Sequence, residues 1–128
     1  MSKRMMRIMV VDDDEISRDL IEHTLTVAGY SVATFADGSE ALEALRDGQF
    51  RLVISDWDMP IMSGVELCRA VRGSDIDGYV YMILLTGNAG PAEIVEGMTA
   101  GADDFIAKPF NPNELVVRVR AGERILGL

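Results

Sequence analysis

The sequence predicts an α/β fold: a parallel sheet, doubly wound, with helices on both faces. Three observations carry this. Short apolar runs alternate with helical patterns along the whole chain, which is the order that builds parallel sheets. One of these runs, Tyr79–Leu85, is continuously apolar or aromatic, as befits a strand buried on both faces. No internal repeat or low-complexity tract interrupts the alternation.

Each element has a local reason. Arg7–Val11 is the first strand. Ile16, Leu20, Thr24 and Leu25 then recur at helical spacing, and Gly29 stands where a helix end takes a left-handed residue. Ser31–Phe35 reads as the second strand. Ala41, Leu42 and Leu45 mark the second helix, closed by Gly48. Arg51–Ser55 is the third strand, followed by a loop from Asp56 to Ser63 and a helix over Gly64–Arg72. After the strand Tyr79–Leu85, Pro91 opens a fourth helix, because a first-turn residue does not need its N–H. Phe105–Ala107 forms the core of the fifth strand. Asn111 and Pro112 supply a cap and first-turn pair for a last helix running to about Leu126.

Bulk properties set outer bounds. The 128 residues favour one domain over 1–128, with 48% hydrophobic and 26% charged residues, as in globular proteins. The single cysteine, Cys68, excludes an intrachain disulfide and fits a reducing, cytoplasmic compartment. The basic start MSKRMMRIMVV has too short an apolar run for a signal peptide, and no segment is long enough to span a membrane. A net charge of −9 argues against direct nucleic-acid binding.

The strand ends concentrate chemistry, where open parallel sheets form their sites. The first strand runs into Asp12-Asp13-Asp14-Glu15. Two like charges ~4 Å apart repel by about 4 kcal/mol at an effective dielectric near 20, so this stretch needs an explanation. Asp14 and Glu15 suit the first turn of the following helix, where open N–H groups favour negative charge. Asp12 and Asp13 remain, and Asp56 at the third strand end completes an all-oxygen set. Hard oxygen ligands without His or Cys point to Mg²⁺ or Mn²⁺. Thr86-Gly87 ends the fourth strand and Lys108-Pro109 the fifth, adding a hydroxyl and an ammonium. A metal, a lysine and a hydroxyl around one carboxylate would stabilise a transferring phosphoryl group, and the carboxylate can itself be the acceptor. Of the two common doubly wound orders, the dinucleotide-binding one needs a glycine-rich turn after the first strand. That turn is absent, which sets nucleotide binding aside.

The spacing VVDDDE … VISDWDMPIMSG … MILLTGN … GADDFIAKPF resembles the receiver domain of two-component response regulators, from about Arg7 to Arg124. The resemblance implies the flavodoxin-like five-stranded sheet order 2-1-3-4-5, with Asp56 as phosphoacceptor, Asp13 as direct metal ligand, and Asp12 as the acid holding a metal-bound water. It implies the Asp58 backbone carbonyl as a further metal ligand. Thr86 resembles the switch hydroxyl, Phe105 the switch aromatic, and Lys108 the lysine that pairs with phosphoryl oxygens. Asp58 and Asn88 stand where receivers tune phosphoryl lifetime, and a cis bond is common at the Lys108-Pro109 position. The implied partners are a sensor histidine kinase or phosphotransfer protein, and an output domain or target protein. A phosphorylation-dependent dimer would use helix four, strand five and helix five. Asp103, Asp104, Glu114 and Arg118 match charged positions of such dimers, whereas Pro91–Ala100 lacks any Lys or Arg. The implied chemistry is restricted to the domain's own aspartyl phosphorylation and dephosphorylation, so it is not an enzyme in the usual sense.

Two alternatives belong to other classes. Asp56-Trp57-Asp58 matches the Asp-x-Asp of haloacid-dehalogenase-type phosphatases, but that motif follows the first strand and has Thr or Val where Pro60 stands. A non-phosphorylated interaction scaffold is the other. His23 reads as a surface or boundary residue, Cys68 as partly buried packing on the third helix, and Trp57 as a wall of the site. In the last helix, Leu115, Val119, Gly122 and Leu126 form one inward stripe. Ile125 and Leu128 fall outside it and are expected to begin a linker toward an output domain.

Overall fold

In the computed structural model, which describes residues 6–127, five strands and five helices alternate. They are β1 (Arg7–Val11), α1 (Glu15–Val27), β2 (Ser31–Phe35), α2 (Gly38–Leu45), β3 (Leu52–Asp56), α3 (Gly64–Arg72), β4 (Tyr81–Thr86), α4 (Pro91–Ala100), β5 (Asp104–Ala107) and α5 (Pro112–Leu126). The strands form one parallel sheet in the order β2-β1-β3-β4-β5. This is the flavodoxin-like order that the resemblance implied.

The sheet separates two apolar layers. Met9, Val11, Val53, Met82 and Leu84 face α2, α3 and α4 with Leu45, Leu67 and Cys68. Ile8, Val10, Ile54, Ile83 and Leu85 face α1 and α5 with Ile21, Leu25, Leu115 and Val119. The central strands β3 and β4 are buried at every residue. Their continuous apolar runs therefore reflect two covered faces, as expected for a parallel sheet.

Helix ends follow the expected local chemistry. Ser63 and Glu66 form a capping box on α3, and Asn111 caps α5 through its side-chain oxygen. Gly29 adopts φ 101°, a left-handed conformation just past the end of α1.

Four expectations require correction. On α1 the buried stripe is Ile21 and Leu25; Ile16 is 80% and Leu20 49% exposed, and Thr24 is only half-buried. The helical period was right, but which arc faces the sheet depends on how the helix docks. β3 is one residue further on than Arg51–Ser55, so Asp56 is its last residue rather than the start of a loop. β4 begins at Tyr81, not Tyr79, whose hydroxyl donates to Asp103 from an exposed position. Cys68 is fully buried, and burial pushes its thiol up to about 12. The expectations placed on Leu128 and on the basic start Met1–Met5 lie outside the described residues. Among the described residues, no helix is long and apolar enough to cross a membrane.

Candidate phosphoacceptor site

The site is assembled by strand ends. Asp12 directly follows β1, and its N–H donates to the Phe35 carbonyl at 3.1 Å. Asp14 caps α1, its Oδ2 accepting from the Ser17 N–H at 2.9 Å, and Glu15 opens the helix. Both acids are thereby drawn to the helix N-terminus, as the dipole favours. Asp56 closes β3, and the next N–H, that of Trp57, donates to the Leu85 carbonyl at 2.9 Å. Thr86 closes β4. Lys108 follows β5, with its N–H donating to the Thr86 carbonyl at 2.8 Å, and the Lys108–Pro109 bond is cis.

Asp12, Asp13 and Asp56 each place a carboxylate oxygen within 4.8 Å of the others. Lys108 Nζ lies 3.1 Å from Asp56 Oδ1 and 3.4 Å from Asp12 Oδ2, so one ammonium bridges two of the three acids. Burial disfavours that ammonium, but the Asp56 hydrogen bond and the charges of Asp12 and Asp56 outweigh it and hold it above the usual lysine range. Asp56 is shifted the other way for a carboxylate. Burial, then the charge of Asp12, raises its pKa, and Lys108 only partly opposes them. The site thus retains an excess of negative charge close to Asp56.

The donor set fits a hard divalent cation. Mg²⁺ prefers hard oxygen ligands such as carboxylates and carbonyls. Asp12, Asp13 and Asp56 offer only oxygen donors, gathered within 4.8 Å of one another. Asp12 is fully enclosed: Oδ1 accepts from the Asp14 N–H at 3.0 Å and Oδ2 from Lys108. Asp13 is exposed, and among the described residues its carboxylate takes part in no hydrogen bond or ion pair. The Asp58 carbonyl likewise accepts no hydrogen bond among the described residues. Both are therefore available to a cation.

The remaining residues surround this centre. Thr86 is buried, and its hydroxyl is engaged by its own loop, accepting from the Asn88 N–H and donating to the Asn88 carbonyl, both at 3.0 Å. No hydrogen bond joins it to Asp56 among the described residues. Asn88 is exposed, and its Oδ1 accepts from the Gly90 N–H at 3.2 Å. Asp58 is exposed on the β3–α3 loop. Phe105 stacks on Trp57, with ring centroids 6.4 Å apart and planes at 29°. Trp57, next to Asp56 in the chain, is thus a half-buried wall that reaches the aromatic of β5. Asp12, Asp13, Asp56 and Lys108 are brought together directly, whereas the side chains of Thr86, Phe105 and Asn88 form no hydrogen bond to them among the described residues. One residue was not anticipated from the sequence. Arg18 donates from Nη1 to the Asp12 carbonyl at 2.8 Å. The only hint in the sequence is an arginine shortly after an acidic cluster, on a helix that the cluster caps.

The comparisons with known proteins agree with this geometry. The profile of the response regulator receiver domain matches residues 8–120. The DNA-binding response regulator MtrA of Mycolicibacterium smegmatis is 41% identical over 115 residues, covering 90% of this chain and 49% of that protein. The chain thus spans about half the length of the curated relatives it matches. The chemotaxis protein CheY4 of Vibrio cholerae superposes with a TM-score of 0.87 at 37% identity, covering 92% of this chain and 98% of that one. The receiver domain of the sensor histidine kinase PA1611 from Pseudomonas aeruginosa PAO1, solved with magnesium coordinated in its active-site cleft, superposes with a TM-score of 0.83 at 29% identity. That match covers 98% of this chain and 100% of the other. With its parallel sheet, its rim of strand-end carboxylates and its lysine, this chain belongs to the response regulator receiver domain family of two-component systems.

Proposed function

We propose that this receiver domain is an Mg²⁺-dependent switch phosphorylated on Asp56. The observation that carries the reading is the cluster of Asp12, Asp13 and Asp56 oxygens within 4.8 Å, with Lys108 bridging Asp12 and Asp56. Asp12, Asp13, Asp56 and the Asp58 carbonyl would hold the cation, and Mn²⁺ would suit the same oxygens. When bound, it supplies positive charge against the phosphoryl oxygens.

An Asp56 carboxylate oxygen attacks phosphorus in line, forming the O–P bond while the bond to the donor's nitrogen or oxygen breaks. Lys108 is already 3.1 Å from Asp56 and pairs with a phosphoryl oxygen as charge develops. Thr86 leaves its hydrogen bonds to Asn88 for the phosphoryl group, and Phe105 moves into the space vacated. A pre-existing equilibrium is thereby biased, and the surface of α4, β5 and α5 reports it. The phosphodonor is a histidine kinase, a phosphotransfer protein or a small phosphodonor in the cytoplasm. The recipient is an output domain or target protein, with dimerisation through that surface as one form of output. Water-positioning groups at Asp58 and Asn88 favour rapid loss of the phosphoryl group. Turnover is confined to the domain's own aspartyl phosphate.

Incubation with acetyl phosphate and Mg²⁺ should add one base-labile phosphoryl mass, absent in Asp56→Asn and in chelator. A second site labelled equally well in that variant overturns the assignment. Sustained turnover of p-nitrophenyl phosphate would instead support a phosphatase.

A further inference from the structure

We infer that Arg18 is a positioning residue for the cation-holding loop, an inference that rests on the phosphoacceptor reading of the site. Arg18 sits early in α1, within reach of Asp12, Asp13, Asp14 and Glu15 along the chain. Even so, it forms no ion pair among the described residues. Its Nη1 donates instead to the backbone carbonyl of Asp12, at 2.8 Å in a partly buried position. A guanidinium next to four acids that bonds to a neutral carbonyl is fixing a peptide plane.

That plane matters because it carries Asp13. Every other polar atom of Asp12 is already held: its N–H by Phe35, Oδ1 by Asp14 and Oδ2 by Lys108. Arg18 secures the last one, and with it the Asp12–Asp13 peptide. Asp13 has no side-chain tether of its own among the described residues, so that peptide fixes where its carboxylate starts from and which region it can reach. Mg²⁺ requires near-ideal octahedral geometry and tolerates little misplacement. Groups that orient metal ligands typically change metal affinity about 10–100-fold when removed.

A purely electrostatic role predicts the opposite sign. Removing a cation beside an acidic site raises its negative potential and should tighten Mg²⁺ binding. The two roles are therefore separable by one titration.

The full chain and its Arg18→Met and Arg18→Lys variants are titrated with Mg²⁺, read by calorimetry and by Trp57 fluorescence. The methionine variant should bind Mg²⁺ about tenfold more weakly or worse, with the lysine variant between it and wild type. In a double-mutant cycle with Asp13→Asn, the two losses should be markedly less than additive, because Arg18 acts through Asp13. Mg²⁺ binding by Arg18→Met as tight as wild type or tighter overturns the inference, and so does strict additivity with Asp13→Asn. Arg18→Gln serves the same measurements should the methionine variant not fold. A wild-type chain that binds no Mg²⁺ overturns the site reading itself, and the role of Arg18 with it. Wild-type binding with an indifferent Arg18 variant overturns only the latter.

Discussion

Burial withholds water from Asp56, and Asp12 adds like charge beside it. Its folded pKa is therefore raised, so the folded protein holds that proton more tightly than the unfolded chain. The resulting penalty is absent below the unfolded value, grows as pH rises, and is complete above the folded value. Metal-free Asp56→Asn should consequently melt above wild type at neutral pH. That margin should shrink as pH falls through the folded value; thermal melts in chelator at successive pH values check both signs. Ile61 raises a separate residue-scale question. It adopts φ 71°, a conformation that is costly for β-branched residues, yet its side chain is 81% exposed and gains little burial to offset that cost. Ile61→Asn, which tolerates that region, should raise stability by about 1 kcal/mol, visible as a higher urea midpoint with unchanged slope. Cys68, fully buried with its thiol pushed up to about 12, should resist thiol reagents at pH 8 until the protein is unfolded.

Between elements, contacts transmit what happens at the site. α4 approaches β5 because residue 97 has no side chain: a Cβ there would meet the Phe105 ring at 2.6 Å and Trp57 at 3.2 Å. Gly97→Ala must therefore displace Phe105 or the helix, at a cost of about 1–3 kcal/mol. It should also alter Trp57 emission by breaking the stack with Phe105. An unchanged melting temperature and spectrum would show that α4 is not held in this way. At the opposite end of the sheet, Arg72 of α3 donates to the carbonyls of Val80 and Gly101, both at 2.8 Å, and pairs with Asp103 at 2.9 Å. It ties α3 to the segments that lead into β4 and β5 through partly buried, charge-assisted bonds. Arg72→Ala should cost about 2 kcal/mol in equilibrium unfolding and leave Mg²⁺ binding untouched.

For the molecule as a whole, two apolar layers hold the sheet, and α5 completes the second of them. Leu126 packs against that layer, whereas Ile125 is 68% exposed. Leu126→Ala should therefore lower the melting temperature, while Ile125→Ala should remain within about 0.5 kcal/mol of wild type. Equal effects of the two would contradict the inward stripe of Leu115, Val119, Gly122 and Leu126. On the neighbouring surface, Arg118 pairs at 3.4 Å with both Asp104 and Glu114 of its own chain. A partner recruiting any of these three charges must compete with those exposed, weak pairs.

Element order, strand direction and the residues at each strand end were legible in the sequence alone. These features arise from short-range causes: apolar runs, helical spacing, and capping residues such as Asn111. Asp12, Asp13, Asp56, Thr86 and Lys108 were found because strand ends share one rim in a parallel sheet. Tertiary packing alone decided that Ile21 rather than Ile16 faces the core, that β4 starts at Tyr81, and that Arg18 grips the Asp12 carbonyl. It also decided that the Thr86 hydroxyl rests on Asn88, away from Asp56. The physical reason is common to all of these. Periodicity says that a helix has an apolar arc, but only the neighbouring elements select which arc is covered. A side chain's hydrogen-bond partner is likewise chosen among groups that the chain brings close only once the sheet has formed.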